Sequence, residues 1–401
     1  MRLPVLFILL TVMIDAMGVG LIIPVMPALI QDVTGGHLAN AALWGGLLST
    51  VFAIMQFGFG PVMGNLSDRF GRRPILLVTL AVMAADYAVM AVAGSIWLLL
   101  AGRIVGGITA ATQSTATAYM ADIAEPGKKA QNFGLVGAAF GIGFVIGPLM
   151  GGLLGELGTR APFWAAAALA AGNCVLGFFV LRETVTDDIR RPFEWRRANP
   201  LGAFRALSRL PGIGRGLTVF FLYQVAFFVY PAVWAFFGEA RFGWDPRMIG
   251  ISLALFGIMM AIVQGGLIRL ILARLGERGT VVYGLVFDIF AFGAIAMVTS
   301  GTVALILTPM AALGAVITPA LQGLMSQTVG PTRQGELQGA LASVGAVAMI
   351  VSPLLMTGIF AHFTAPGAAP YFPGAPFLLS AGLIVLALAV FLAPARRRPA
   401  P

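Results

Sequence analysis

The stretch GNLSDRFGRRP, residues 64–74, lies between two apolar windows at roughly 41–63 and 74–94. Each window is long enough to cross a bilayer, so the charged stretch between them is a turn at the membrane surface. A second stretch, ARLGERG at residues 273–279, repeats its core of Arg, an apolar residue, Gly, a charged residue and Arg. Gly permits a tight turn, and cations complement helix C-termini. The repeat indicates that the chain consists of two related halves.

The apolar windows recur throughout the chain, which is 59% hydrophobic and 10% charged. Six precede residue 183, at roughly 5–30, 41–63, 74–94, 96–120, 132–155 and 161–182. Six more follow, at roughly 213–238, 247–272, 279–299, 301–327, 336–362 and 375–393. Only helices and closed barrels satisfy their backbone groups in lipid, and the period-two alternation of barrel strands is missing from the sequence. The pattern predicts an all-α membrane protein with twelve transmembrane helices in two six-helix halves.

A polar stretch between the two sets of windows predicts three parts of the chain. An N-terminal six-helix bundle occupies residues 1–182, and a linker occupies residues 183–212. A C-terminal six-helix bundle with a short tail occupies residues 213–401.

Basic residues gather on one side of the predicted bilayer: Arg2, Arg69, Arg72, Arg73, Lys128, Lys129, Arg190, Arg191, Arg196, Arg197, Arg274, Arg278, Arg333 and Arg396 to Arg398. The loops on the other side carry Arg160, Arg241 and Arg247. Because short loops rich in Lys and Arg stay in the cytoplasm, we expect the linker and both termini to be cytoplasmic. An anionic inner leaflet accounts for the net charge of +9, so no nucleic-acid partner is expected.

Three carboxylates lie deep inside apolar windows: Asp15, Asp86 and Asp288. At 1.5 Å per helical residue they are about 15, 18 and 14 Å from the starts of their windows, near the middle of the membrane. A charge there costs about 3 kcal/mol by the mildest scales, so such acids indicate transport, proton relay or ion binding. Because transporters of this architecture bind substrates and ions at the midplane between their halves, we expect the three acids to converge on one cavity. The structural alternative is that Asp15 or Asp86 forms an ion pair with Arg103, a basic residue inside the fourth window.

The sequence argues against an enzyme. Its two histidines, His37 and His362, have no metal-ligand spacing to a Cys or an acid. Cys174 is the one cysteine, so neither a disulfide framework nor a cysteine metal site is expected. Neither a Ser-His-Asp arrangement nor a phosphate-binding Gly-Lys-Ser/Thr loop occurs, which also disfavours ATP-driven transport by this chain. We expect no permanently bound cofactor or metal.

Three motifs resemble those of the major facilitator superfamily. Residues 64–74 are similar to its loop signature, RIVGG at 103–107 to its basic fourth-helix motif, and GFVIGPLMGG at 143–152 to the fifth-helix motif of its proton antiporters. The first resemblance implies a cytoplasmic gate made by Gly64, Asp68, Arg69, Gly71, Arg72 and Arg73. The others imply structural or relay roles for Arg103, Gly143, Gly147, Pro148, Gly151 and Gly152. The small residues among these also allow close packing between helices, and generic packing is the alternative interpretation.

Within the superfamily, three further stretches resemble the tetracycline/proton antiporters: IDAMGVGLIIPVMP at 14–27, DYAVMA at 86–91 and RQGELQG at 333–339. This resemblance implies that Asp15, Asp86 and Asp288 serve both proton coupling and substrate binding. It also implies substrate contacts for Gln56, Met260 and Gln264. Met260 departs from the group, which usually carries a histidine at this position.

The resemblance therefore implies a proton-coupled secondary transporter of the bacterial inner membrane that exports a drug in exchange for protons and works as a monomer. The expected substrate is tetracycline as a divalent-metal chelate, so that Mg²⁺ enters as part of the substrate. Asp288, the only acid deep in a second-half window, is the first candidate for proton coupling. The alternatives are export of another hydrophobic or cationic drug and transport of a metabolite on the same scaffold.

Overall fold

A computed structural model describes residues 3–124, 129–187, 190–195, 199, 212–330 and 333–393. The regular secondary structure in these ranges is helical throughout. Eleven helical segments are long and apolar enough to span a membrane. One of them, Pro246–Met297, has 52 residues and is divided at Gly276, where φ is 65°. The division gives twelve spans, and the all-helical membrane fold is confirmed.

The described residues of the first half form eight helices, because two of its spans are broken. They are α1 (Leu3–Ile22), α2 (Met26–Thr34), α3 (Leu38–Phe70), α4 (Arg72–Val92), α5 (Ile96–Thr109), α6 (Thr112–Asp122), α7 (Lys129–Gly155) and α8 (Ala161–Val180). The first span consists of α1 and α2 joined by a 3₁₀ turn at Ile23–Val25, where Pro24 has no amide hydrogen to continue the helix. The fourth span consists of α5 and α6, interrupted at Ala110 and Ala111.

The described part of the second half also contains eight helices. They are α9 (Gly214–Phe227), α10 (Val229–Phe242), α11 (Pro246–Ile262), α12 (Ile268–Met297), α13 (Gly301–Ala311), α14 (Ile317–Val329), α15 (Gln334–Thr364) and α16 (Ala375–Leu392). A π-helical turn at Val263–Leu267 joins α11 to α12. A 3₁₀ turn at Ala312–Val316 joins α13 to α14. The π-helical turn and the 3₁₀ turn contact each other within the second half.

The predicted linker lies partly outside the described residues, as do Lys128 and the tail from residue 394. In the described part, the Arg191 amide donates to the Asp68 carbonyl at 3.4 Å. The Asn65 side-chain amide donates to the Glu194 carbonyl at 2.8 Å. The linker therefore begins along the end of α3. The division of the chain at residues 183 and 212 stays a prediction.

Glycines of α7 allow two other helices to approach its backbone. A Cβ added at Gly147 would lie 2.6 Å from the Met17 carbonyl oxygen and 2.9 Å from the Gly20 Cα. A Cβ added at Gly152 would lie 2.6 Å from the Pro246 carbonyl oxygen at the start of α11. Gly143 and Gly151 face carbonyls of α1 in the same way. The small-residue surface expected from the sequence therefore packs against α1 and, at Gly152, against the second half.

The two halves meet at the less basic face of the molecule, where α3 packs on α15 and α7 packs on α11. We call the boundary between the two halves the seam. Three polar contacts cross it there: Thr50 Oγ1 donates to the Ile350 carbonyl at 3.0 Å, Gln31 Nε2 donates to Glu239 Oε1 at 3.0 Å, and Arg247 pairs with Glu156 at 3.3 Å. Nearer the basic face, a Cβ added at Gly64, Gly141, Gly266 or Gly339 would meet no described atom within 4 Å. The described polar contacts between the halves thus lie at the less basic face, whereas these four glycines nearer the basic face have space for a side chain among the described residues.

The close approach of α7 to α1 predicts that Gly147→Ala destabilises the fold. The added methyl group overlaps the α1 backbone, and overpacking of this kind costs about 1–3 kcal/mol. We expect a lower melting temperature in detergent, measured by size-exclusion chromatography after heating.

Gly141→Ala is the matched control, because it changes the same helix at a position with open space. It should leave the melting temperature unchanged. Equal stability of the two variants would contradict the close packing of α7 against α1.

Candidate functional site

Asp86 of α4 and Arg103 of α5 form an ion pair inside the first half, with 2.6 Å between Oδ2 and Nη2. Their side chains are 5% and 11% exposed. Gly102 and Gly106 make room for the carboxylate, since a Cβ at either position would lie within 2.7 Å of its oxygens. The Arg103 guanidinium also lies 5.2 Å from the centre of the Phe52 ring. The structural alternative that the sequence left open for Asp86 is therefore the arrangement observed.

Asp15 of α1 lies near this pair but does not join it. The Tyr87 hydroxyl lies close enough to Asp15, Asp86 and Arg103 to interact electrostatically with their charged groups. The Tyr87 ring packs against Gly18, one turn from Asp15. Among the described residues, Asp15 has neither an ion pair nor a hydrogen bond. The structure thus groups Asp15, Asp86 and Arg103 around Tyr87.

Asp288 of α12 is 4% exposed and lies in the core of the second half. Its carboxylate packs directly on Gly314 of the 3₁₀ turn, where an added Cβ would overlap it. The hydroxyl groups of Tyr223 and Tyr230 lie close enough to the Asp288 carboxylate to interact with it electrostatically. No cation or hydrogen-bond donor among the described residues pairs with the carboxylate. Asp288 is thus a buried acid that the described protein does not neutralise.

A cavity of about 440 Å³ lies beside Asp288. Residues of α9, α11, α12, α14 and the two irregular turns line it: Tyr223, Gln224, Phe227, Met260, Gln264, Ile268, Ala315, Thr318, Pro319 and Gln322. The predicted residues Met260 and Gln264 are among them, and the lining residue Tyr223 also lies close enough to Asp288 to interact with it electrostatically. Sequence reasoning did not select Gln224 and Gln322, although both are polar residues inside apolar windows.

The first-half acids do not line this cavity, and neither does Gln56. The Gln56 amide donates to the Ala110 carbonyl at 3.4 Å, which the break between α5 and α6 leaves free of a helical partner. Gln56 therefore has a contact that supports the fourth span. Convergence of all three acids on one cavity stays a prediction.

The basic turn at residues 64–74 is held by acids of the first half. Arg72 pairs with Asp68 at 2.6 Å and with Asp122 at 3.2 Å. The Glu183 carboxylate accepts hydrogen bonds from the backbone amides of Arg72, at 2.9 Å, and Arg73, at 3.2 Å. It thereby satisfies free amides at the positive end of α4.

Sequence reasoning missed Asp122 and Glu183. The available signal was their position, since each follows an apolar window on the basic side. Among the other predicted gate residues, Arg69 stacks on Phe70 at 5.0 Å, and Gly64 is surrounded by open space within the described structure. The contacts observed for this turn lie within the first half and its linker.

Gly71 and Gly276 give the two repeated turns the same kind of backbone. Their φ angles are 110° and 65°, which residues with a side chain rarely adopt. The expected role of Gly in the repeat is thus observed in both halves. The second turn carries its own acid, because the Glu277 carboxylate packs against Gly323 of α14.

Comparisons with known proteins agree with this architecture. The family model of the Major Facilitator Superfamily matches residues 8–353. The class C tetracycline resistance protein of Escherichia coli is 41% identical over 390 residues, with 97% of this chain and 95% of that protein covered.

Two solved structures are similar in fold. The human organic anion transporter MFSD10 (TETRAN) has a TM-score of 0.69 at 26% identity, with 97% of this chain and 99% of that chain covered. The nucleoside transporter NupG has a TM-score of 0.78 at 15% identity, with 98% of each chain covered. The chain belongs to the Major Facilitator Superfamily, is related to the tetracycline resistance proteins, and is a transporter rather than an enzyme.

Proposed function

We propose that this protein exports tetracycline, as a divalent-metal chelate, from the bacterial cytoplasm in exchange for protons. The observation that carries the proposal is Asp288, a buried carboxylate without a partner among the described residues, which contacts Gly314 next to the lining residue Ala315 of a 440 Å³ cavity. A charge in this position must be neutralised by a proton or by a cation, and antiport needs such an exchange. The tetracycline resistance proteins among its relatives suggest the substrate.

The proposed orientation places the basic face in the cytoplasm, as its excess of Arg and Lys favours. Substrate then enters between the halves from the cytoplasm, and the contacts between the halves at the less basic face block the other side. In the opposite state, protons from outside reach Asp288 and displace the chelate. Competition between the proton and the cationic substrate for one carboxylate couples the two movements.

Asp288 has a direct structural route to the cavity. Its carboxylate contacts Gly314, and the turn that holds Gly314 leads into α14. Thr318 and Gln322 of α14 line the cavity. Movement of this turn on protonation would therefore displace two wall residues.

The first-half acids have different proposed roles. Arg103 already balances the charge of Asp86, so this pair maintains the geometry of α4 and α5. Asp15, which is unpaired among the described residues, is the first-half group proposed to attract the metal of the chelate. The Arg72 network at the basic turn is proposed to serve as the cytoplasmic gate. The transporter is proposed to work as a monomer.

Met260 favours a second candidate, export of another hydrophobic drug. Its thioether lies in the cavity wall, where it offers a polarizable apolar contact instead of a metal-binding imidazole.

We expect Asp288→Asn to abolish proton-coupled transport, because the amide cannot exchange a proton near neutral pH. Inverted vesicles with an acidic lumen should take up tetracycline with Mg²⁺ through the wild-type protein. Uptake by the variant should fall to that of vesicles lacking the protein. Radiolabelled tetracycline and a lumenal pH dye measure the two fluxes.

Asp187→Asn is the control, since the Asp187 side chain is 97% exposed at the start of the linker. It should transport as the wild type does. The coupling role of Asp288 is wrong if its Asn variant still concentrates tetracycline against a gradient. Absence of uptake by the wild type would reject tetracycline as the substrate.

Gly314→Ala should also reduce uptake strongly, because its methyl group would displace the Asp288 carboxylate. Gly293→Ala, on the same helix as Asp288 but in open space, should transport normally. Monodisperse elution of both variants on size-exclusion chromatography checks folding. Normal uptake by a folded Gly314→Ala variant would contradict the proposed route from Asp288 to the cavity.

A further inference from the structure

Three glutamine side chains from three separate segments line the 440 Å³ cavity. Gln224 belongs to α9, Gln264 to the π-helical turn and Gln322 to α14. Within the described part of the chain, none of their side-chain amides forms a hydrogen bond with the protein.

Other glutamines in the apolar spans are used differently. The Gln31 amide donates to Glu239, and the Gln56 amide donates to the Ala110 carbonyl. The amides around the cavity therefore retain a hydrogen-bonding capacity that Gln31 and Gln56 use internally. Each primary amide offers two donors and one acceptor. Because these amides are not bonded to the described protein, a bound molecule with complementary polar atoms can pair with them.

The remaining walls indicate the shape of that molecule. Tyr223 and Phe227 lie nearly parallel, with 5.8 Å between ring centres and 28° between ring planes. Met260 and Ile268 add apolar surface. Asp, Glu, Lys, Arg and His are missing from the described lining. The cavity thus combines flat apolar walls with neutral hydrogen-bonding groups.

We propose that this cavity is a subsite for the neutral polar groups of a flat ring system. Gln224, Gln264 and Gln322 donate to its carbonyl oxygens and accept from its hydroxyl groups at positions that the metal does not occupy. The inference rests on the proposed function and identifies which part of the substrate this cavity recognises.

The π-helical turn gives Gln264 its place in the subsite. A π turn inserts an extra residue into the helix and reorients the side chains that follow. The turn at Val263–Leu267 packs against the 3₁₀ turn that holds Gly314. The position of Gln264 therefore depends on the segment that contacts Asp288.

The test is equilibrium binding of radiolabelled tetracycline to the purified full-length protein, with and without Mg²⁺. Gln224→Leu and Gln322→Leu keep side-chain volume similar and remove the hydrogen bonds. Each should raise Kd about threefold to tenfold, the effect of one or two neutral hydrogen bonds. The double variant should weaken binding more than either single variant does.

Gln327→Leu is the matched control, an exposed glutamine on the same helix as Gln322 that does not line the cavity. It should leave Kd unchanged. Vesicle transport by the Gln224 and Gln322 variants should show a raised KM with a retained maximal rate, which a general folding defect would not produce. Melting temperatures of all variants check their stability.

The outcomes separate this inference from the proposed function. If the wild type binds tetracycline and the Leu variants bind it equally well, the subsite assignment is wrong and the export proposal stands. If the weakening appears only with Mg²⁺, the amide oxygens are metal ligands and the assignment is also wrong. If the wild type binds no tetracycline, the proposed function fails and the subsite fails with it.

Discussion

The cost of a charge in hydrocarbon determines how this protein is arranged around its acids. Asp86 meets that cost by an ion pair with Arg103, and the glycines of α5 admit the carboxylate without a steric conflict. Asp288 has no such cation among the described residues and rests against a glycine of a 3₁₀ turn. Asp86 is therefore held by Arg103, whereas Asp288 is available to bind a proton or a cation from solution.

Close backbone packing provides the second constraint. The glycines of α7 bring α1 and α11 to distances at which a methyl group would overlap a carbonyl oxygen. Such contacts are made by rigid surfaces, so they favour movement of the halves as bodies rather than bending of individual helices. The same surfaces that stabilise the first half also close the seam on the less basic face.

The sequence was sufficient for the spans, the repeated turns and the deep position of the acids, because each depends on local pattern alone. The left-handed glycines at Gly71 and Gly276 were predictable from spacing in this sense. Contacts between distant parts of the chain were not predictable from local pattern. Gln56 contacts a carbonyl freed by a helix break, and Glu183 reaches α4 from the end of α8. The cavity depends on a π turn and a 3₁₀ turn, which leave no distinct mark in an apolar window.

The hydrogen bonds from the first amides of α4 to the Glu183 carboxylate couple the linker to the third span. Glu183 begins the predicted linker, and the next residue, Thr184, donates to Asp122 at 3.0 Å. The start of the linker is thus bonded to the first turn of the third span and to the end of the fourth. A fluorescent reporter or a protease site inserted at residues 184–187 would disturb these contacts, whereas the same insertion after residue 195 would leave them in place.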